Sequence, residues 1–137
     1  LQSCTSYSTL QSDSLITAVA GINCQRDIYF TVTAFSTAGP TDNIDVSNIS
    51  MLKLTTNDNS VVIGGFTGGI AGQVLFIMKY QGSNVATLEH NESHANQKIY
   101  LQSGGDETIG VAGIKTSNPM GGWVLVCDGS HWYSIGR

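Results

Sequence analysis

The chain has 137 residues, a length that fits one domain. Charged residues make up 12% of it, about half the usual ~25%, while Gly accounts for 16 residues. The net charge is −4 and the six Lys and Arg residues are scattered, which argues against nucleic-acid binding because that requires clustered basic residues. No apolar stretch approaches the ~20 residues of a membrane span, so membrane insertion is not expected. Because mixed surface charge normally keeps a monomer in solution, so weakly charged a chain is expected to cover part of its surface in an oligomer or an assembled particle.

Short apolar segments separated by Gly, Asn, Asp and Ser predict strands along the chain. The predicted strands are Asp27–Phe35, Ile44–Thr56 (with a bend at Ser47-Asn48), Val61–Ile63, Gln73–Tyr80, Val85–His90, Lys98–Gln102, Thr108–Ala112, Trp123–Asp128 and Trp132–Ile135. A weak helical pattern covers Ser12–Val19. Turns recurring every 8 to 12 residues or so are typical of antiparallel sandwiches and jelly rolls.

Two of these segments carry further expectations. Gln73–Tyr80 is apolar at alternate positions on both faces, so we expect it to be covered on both sides. Asp128-Gly129 is the strongest short hairpin signal and predicts that the strands on either side of it pair antiparallel. The glycine-rich stretch Phe66–Gly72 has two readings, a plain loop or tight turn, or a place where several chains converge.

From about Asn43 onward the chain resembles the β-rich C-terminal segments of phage and other viral tail fibres and spikes. The residues that carry the resemblance are Ile44-Asp45-Val46-Ser47, Met51-Leu52-Lys53-Leu54, Ile63–Leu75 with its Gly-Gly-x-Ala-Gly-Gln motif, Gly82–His90 with its Thr-Leu-x-His motif, Asn96–Leu101, and Trp123–Tyr133 with the closing Asp-Gly-x-x-Trp. They cover roughly two-thirds of the chain.

The resemblance implies a homotrimeric display module on the virion surface. We therefore expect an all-β, antiparallel, jelly-roll-like β-sandwich that forms a homotrimeric knob. Residues 1–20 are assigned to a linker or the end of a shaft, and residues 21–137 to a single head domain. The expected function is attachment to a glycan or protein on the host-cell surface, with other fibre segments as further partners. The alternative is a structural trimerisation or capping module that binds no ligand.

The three cysteines fit neither a disulfide framework nor a zinc site, because their number is odd and no C-x-x-C occurs. Cys127 lies in an apolar strand and is expected to be a buried small hydrophobe with an inert thiol. The sequence leaves open whether Cys4 and Cys24 form a disulfide.

The sequence predicts no enzyme, no metal site and no cofactor. His90, Glu92 and His94 would share one face of a strand and could bind a metal, but His90 falls within the Thr-Leu-x-His motif of the fibre scaffold. No Gly-x-Ser-x-Gly elbow occurs. The neighbouring acids Asp106 and Glu107 are expected at a solvated loop tip rather than as a catalytic pair.

Ligand binding is instead assigned to loops and aromatic side chains. The loops are Asn91–Gln97, Ser103–Glu107 and Lys115–Gly122, with His94, Asn96, Asp106, Glu107 and Asn118 as the candidate contact residues. Exposed aromatic rings stack on sugars, and the candidates are Tyr80, Tyr100, Trp123, Trp132 and Tyr133, of which the two Trp residues are expected to be core residues.

Overall fold

The structure, a computed structural model, describes residues 28–110 and 119–136. These residues form twelve strands and no helix, which confirms the all-β class for this part of the chain. The strands are β1 (Val32–Phe35), β2 (Gly39–Thr41), β3 (Ile44–Asp45), β4 (Met51–Thr55), β5 (Val61–Ile63), β6 (Gly65–Thr67), β7 (Val74–Gln81), β8 (Ala86–Leu88), β9 (Gln97–Tyr100), β10 (Glu107–Ile109), β11 (Gly121–Cys127) and β12 (Trp132–Gly136). No helix long and apolar enough to cross a membrane occurs among them. The helical pattern at Ser12–Val19, the linker assignment of residues 1–20, Cys4 and Cys24 all lie outside the described residues.

The first eight strands wind as successive coils stacked in parallel. Strands β1, β4 and β7 lie side by side in parallel, as do β2, β5 and β8, and β3 lies parallel to β6. The paired positions Val32, Met51 and Phe76 are separated by roughly 20 to 25 residues, the repeat length of a solenoid. The predicted antiparallel arrangement is therefore wrong for these strands. Turn residues show where the chain leaves a strand, but they do not show which strand it returns to.

The last four strands end the stack. Strands β9, β10 and β11 pair antiparallel with β6, β8 and β7, respectively, while β12 lies between β11 and β9. An eight-stranded sheet with the order β1-β4-β7-β11-β12-β9-β6-β3 and a four-stranded sheet with the order β10-β8-β5-β2 result. Because β9, β10 and β11 pair with the last strand of each parallel stack, those strands are not left as open sheet edges. The hairpin predicted at Asp128-Gly129 is confirmed, since it joins β11 to β12.

Both sheets contribute to the hydrophobic core. Alternate residues point inward, as in β4, where Leu52 and Leu54 are buried and their neighbours are only half-buried. The core side chains are Val46, Leu52, Leu54, Val61, Ile63, Phe66, Leu75, Ile77, Ala86, Leu88, Ile99, Leu101, Ile109, Trp123, Leu125, Cys127 and Trp132. The predicted core positions of Trp123, Trp132 and Cys127 are confirmed.

Strand β7 departs from its prediction. Leu75 and Ile77 are buried, but Val74 on the opposite face is 38% exposed and Phe76 is half-buried. Phe76 has one aromatic neighbour there, the ring of Phe30 at 5.4 Å. Within the described residues the outer face of β7 is therefore an open apolar surface.

The glycine-rich stretch packs against the chain's own core. A Cβ on Gly69 would lie 2.5 Å from the ring of Trp132, and Gly68 has a φ of 75°, which favours glycine. Gln97 holds the turn by accepting from the Gly69 N–H at 2.9 Å and donating to the Gly69 carbonyl at 2.8 Å. The glycines thus allow the loop to approach β12 closely.

Candidate functional site

Four aromatic rings meet on the outer side of β9 and β12. Tyr100 and Tyr133 are paired positions of these parallel strands, and their rings stack with centroids 5.4 Å apart and planes 19° apart. The rings of His131 and His90 make edge-to-face contacts with Tyr100, at centroid distances of 5.5 Å and 5.8 Å. We call His90, Tyr100, His131 and Tyr133 the aromatic surface.

The alternation of β12 explains how this surface forms. Trp132 and Ser134 point inward, so Tyr133 between them must point outward, where it is 41% exposed. The Asp128-Gly129 turn returns the chain so that the His131 ring lies beside Tyr100. A short hairpin thus supplies two of the four rings.

Polar groups frame the aromatic surface. Asp128 accepts hydrogen bonds from the backbone N–H groups of Ser130 and His131, both at 2.7 Å, and these bonds lower the pKa of Asp128. Its hydrogen bond with the Tyr133 hydroxyl raises the pKa of Tyr133. Lys98, whose backbone N–H lies 3.4 Å from His131 Nδ1, donates through Nζ to Asn91 Oδ1 at 3.1 Å. Rings, a carboxylate, an ammonium and an amide within one area can contact both the C–H faces and the hydroxyls of a sugar.

A second group of side chains lies in the neighbouring loops. Asp42, Glu92 and His94 each place one potential metal-ligand atom within 4.8 Å of the others, and we call them the loop cluster. Glu92 Oε1 lies 3.0 Å from His94 Nδ1, and its other oxygen accepts from the His94 N–H. The backbone hydrogen bond from His94 is the main reason that the pKa of Glu92 falls to about 2.

His90 does not belong to the loop cluster, contrary to the grouping considered from the sequence. Its Nδ1 accepts from the Leu101 N–H at 3.0 Å, so the imidazole fixes the backbone between β9 and the next turn. The backbone N–H of His90 donates to Asp106 Oδ1 at 2.8 Å. Asp106, one of the candidate contact residues, is therefore exposed, and its carboxylate binds the backbone just before Glu92.

The other candidate contact residues have different positions. His94 and Asn96 are exposed and lie together, because Asn43 bonds to the His94 carbonyl and to the Asn96 N–H. The prediction that Glu107 lies at a solvated loop tip is wrong. It is the first residue of β10, is 8% exposed and accepts a hydrogen bond from Trp123 Nε1 at 2.9 Å. Asn118 lies outside the described residues.

Cys127 and His131 do not form a nucleophile and base pair. Cys127 has a free thiol that is 1% exposed, and burial raises its pKa. Its sulfur accepts from the Gly129 N–H at 3.2 Å, whereas His131 Nδ1 lies 3.4 Å from the Lys98 N–H. The absence of catalytic activity stays a prediction.

An apolar groove of about 830 Å³ lies beside the open face of β7. Five large apolar side chains line this cavity, which we call the apolar groove: Phe30, Ile49, Ile70, Val74 and Phe76. Ile70 is 69% exposed and Phe30 is 47% exposed, although both are large hydrophobic side chains. None of the described residues that line the groove is an Asp, Glu, His, Lys, Arg, Cys or Tyr, so this lining suits apolar contact.

Sequence reasoning missed Asp42 and Asn43, which no motif marks. It named Tyr100 and Tyr133 only as two of five aromatic candidates, since their pairing depends on β9 lying parallel to β12.

Comparison with models of protein families, with curated proteins and with solved structures found no match to this chain.

Proposed function

We propose that the chain is the head domain of a virion fibre or spike and attaches the particle to a glycan or protein on the host-cell surface. The observation that carries this proposal is the aromatic surface, in which Tyr133 is exposed and Tyr100 is held by three neighbouring rings. Aromatic side chains contribute large contact areas at low cost in conformational entropy. The fibre-like motifs of the sequence support the same function and a location on the virion surface.

A homotrimer is part of the proposal. Its support is the apolar groove together with the outer face of β7, where large apolar side chains meet solvent in a chain with only 12% charged residues. Exposed apolar patches of this kind mark contact sites between proteins. The β-sandwich arrangement is proposed on a separate observation, since strands of both sheets contribute side chains to one core cluster.

Glycan binding is tested with a glycan array and three proteins. Wild type is expected to bind one class of glycan, and Tyr133→Ala is expected to lose that signal. Tyr80→Ala is the matched control, because Tyr80 is also exposed but contacts Lys53 on β4, away from the aromatic surface. Circular dichroism establishes that the variants fold. Glycan binding that survives Tyr133→Ala contradicts the assigned surface. If no glycan binds, adsorption of the isolated domain to host cells decides whether a protein is the ligand, and failure of both rejects the proposal.

The oligomer is tested by light scattering at micromolar concentration. Wild type is expected to be a trimer, and Ile70→Asp to be a monomer because it places a carboxylate in the apolar groove. Ile135→Asp is the control, since Ile135 is 58% exposed on β12 and outside that groove. A monomeric wild type contradicts the trimer.

A structural trimerisation or capping module with no ligand is the second candidate. The apolar groove favours it, because this surface suits contact between copies and requires no host ligand. Deletion of the domain from the particle separates the two functions. Loss of fibre assembly supports the structural module, whereas particles that assemble but do not adsorb support attachment.

A further inference from the structure

We propose that the loop cluster of Asp42, Glu92 and His94 binds one divalent transition-metal cation, for which Zn²⁺ is the best match. This inference stands apart from the attachment function, since it concerns other side chains and has its own test. One ligand atom from each residue lies within 4.8 Å of the other two. The sequence alone joined Glu92 and His94 to His90, and the structure replaces His90 with Asp42.

The fold fixes these ligands although they come from distant parts of the chain. Asp42 lies between β2 and β3, and Glu92 and His94 lie between β8 and β9. Asn43 joins the two loops, because its Nδ2 donates to the His94 carbonyl at 3.2 Å and its Oδ1 accepts from the Asn96 N–H. Asn43 has a φ of 63°, a conformation that Asn tolerates better than most residues. The side chain of Asn43 therefore holds the two loops in a fixed relative position.

Asp42, which is half-buried, carries one oxygen atom without a hydrogen-bond partner. Its Oδ1 atom is shielded from solvent and accepts no hydrogen bond from any described residue. Burying a polar atom without a partner is unfavourable, and more so for a carboxylate oxygen. Gly64 makes room for this oxygen, since a Cβ there would lie 2.1 Å from it. A cation bound at the Asp42 carboxylate would compensate for the lost solvation.

The charge around the loop cluster also favours a cation. A Cβ placed on Gly64 would lie 2.1 Å from Asp42 Oδ1 and 3.0 Å from Glu89 Oε2, so the carboxylate of Glu89 lies close to that of Asp42. Together with Glu92, three carboxylates thus lie near one another. A divalent cation would offset their mutual repulsion.

The donor set selects the class of metal. Two carboxylates and one imidazole match Zn²⁺, whereas Ca²⁺ prefers oxygen ligands alone. Glu92 Oε1 and His94 Nδ1 are 3.0 Å apart, close to the ~3.3 Å expected between two ligands of a tetrahedral Zn²⁺. The His94 side chain is 80% exposed, so it can rotate without disturbing the core. Three protein ligands leave one coordination position for water or another group.

The test is isothermal titration of the full chain with ZnCl₂ and, separately, with CaCl₂. One Zn²⁺ per chain is expected at micromolar affinity or tighter, with much weaker binding of Ca²⁺. The variants Asp42→Asn and His94→Ala should each weaken Zn²⁺ binding at least tenfold. Asp58→Asn is the control, because Asp58 is an exposed acid in the loop between β4 and β5.

A second measurement guards against a folding artefact. Zn²⁺ should raise the thermal unfolding midpoint of wild type and Asp58→Asn, because a ligand of the folded state stabilises it by mass action, and should raise that of Asp42→Asn less at the same Zn²⁺ concentration. No Zn²⁺ binding by the folded wild type at micromolar concentrations overturns the proposal. Binding that Asp42→Asn leaves unchanged assigns the metal to another site, and equal affinity for Ca²⁺ overturns the choice of metal. Both results reject the proposal as stated.

Discussion

Replacing Glu107 tests whether this residue supports the core or binds a ligand. The Trp123 indole is 1% exposed, and its N–H donates to Glu107 Oε2 at 2.9 Å across the gap between β11 and β10. Glu107→Ala removes the acceptor and leaves the indole N–H buried. Glu107→Gln retains an oxygen that can accept the same hydrogen bond.

The expected loss follows from the burial of the indole. A buried donor that loses its partner costs about 1–3 kcal/mol, and a hydrogen bond to a charged group lies in the upper part of that range. Glu107→Ala should therefore lower the free energy of unfolding by about 2–3 kcal/mol. Glu107→Gln should cost less than about half of this, because only the charge is lost.

Urea unfolding followed by tryptophan fluorescence measures these differences. A double-mutant cycle with Trp123→Phe isolates the hydrogen bond from other effects of the two substitutions. The expected coupling energy is about 1–2 kcal/mol. If Glu107→Ala costs no more than an ordinary surface substitution, within about 0.5 kcal/mol, or if the cycle shows no coupling, the structural role assigned to Glu107 is wrong.

Three further outcomes are expected. Gly122→Ala should lower the free energy of unfolding in urea by about 1–3 kcal/mol, because its Cβ would lie 2.0 Å from the Ile77 carbonyl oxygen. A Cβ on Gly105 would meet nothing within 4 Å, so Gly105→Ala should stay within about 0.5 kcal/mol of wild type. Equal effects would contradict the close pairing of β7 and β11. Cys127 should resist alkylation by iodoacetamide until urea unfolds the chain, since its thiol is buried and its pKa is raised, and rapid modification in the folded state would refute that burial. Hydrogen bonds in the folded state lower the pKa of Asp128 from its ordinary 3.8, so this residue contributes stability above pH 3.8 that is lost as the pH falls through the folded pKa. In unfolding curves recorded across this acid range, Asp128→Asn should therefore lose less stability than wild type. Parallel losses would show that the hairpin bonds do not perturb Asp128.

Particular elements show what the sequence could predict. The segment Val61–Ile63 is a strand with the predicted bounds, and Asp128-Gly129 forms the predicted hairpin. Both signals are local, because strand alternation and turn chemistry depend on neighbouring residues. Strand β6 lies within the resemblance motif but was not predicted as a strand, since Gly65 reads as a turn residue.

The candidate sites divide in the same way. The sequence marks Tyr133 only as one of five aromatic candidates, whereas its exposure and its stacking on Tyr100 depend on the pairing of β9 with β12. The loop cluster was only half visible, because Glu92 and His94 are neighbours but Asp42 is brought to them by the pairing of separate strands. Glu107 was misplaced because its partner, Trp123, lies on another strand.

The sequence by itself determined the all-β class, the main strands, the core Trp residues and the weak surface charge of this protein. These properties follow from the alternation and composition of short segments. Only the tertiary structure decided that strands stack in parallel coils, that β7 has an open face and that Asp42 joins Glu92 and His94. The physical reason is that strand pairing and side-chain convergence depend on hydrogen bonds and packing between residues far apart in the chain, which a local pattern does not record.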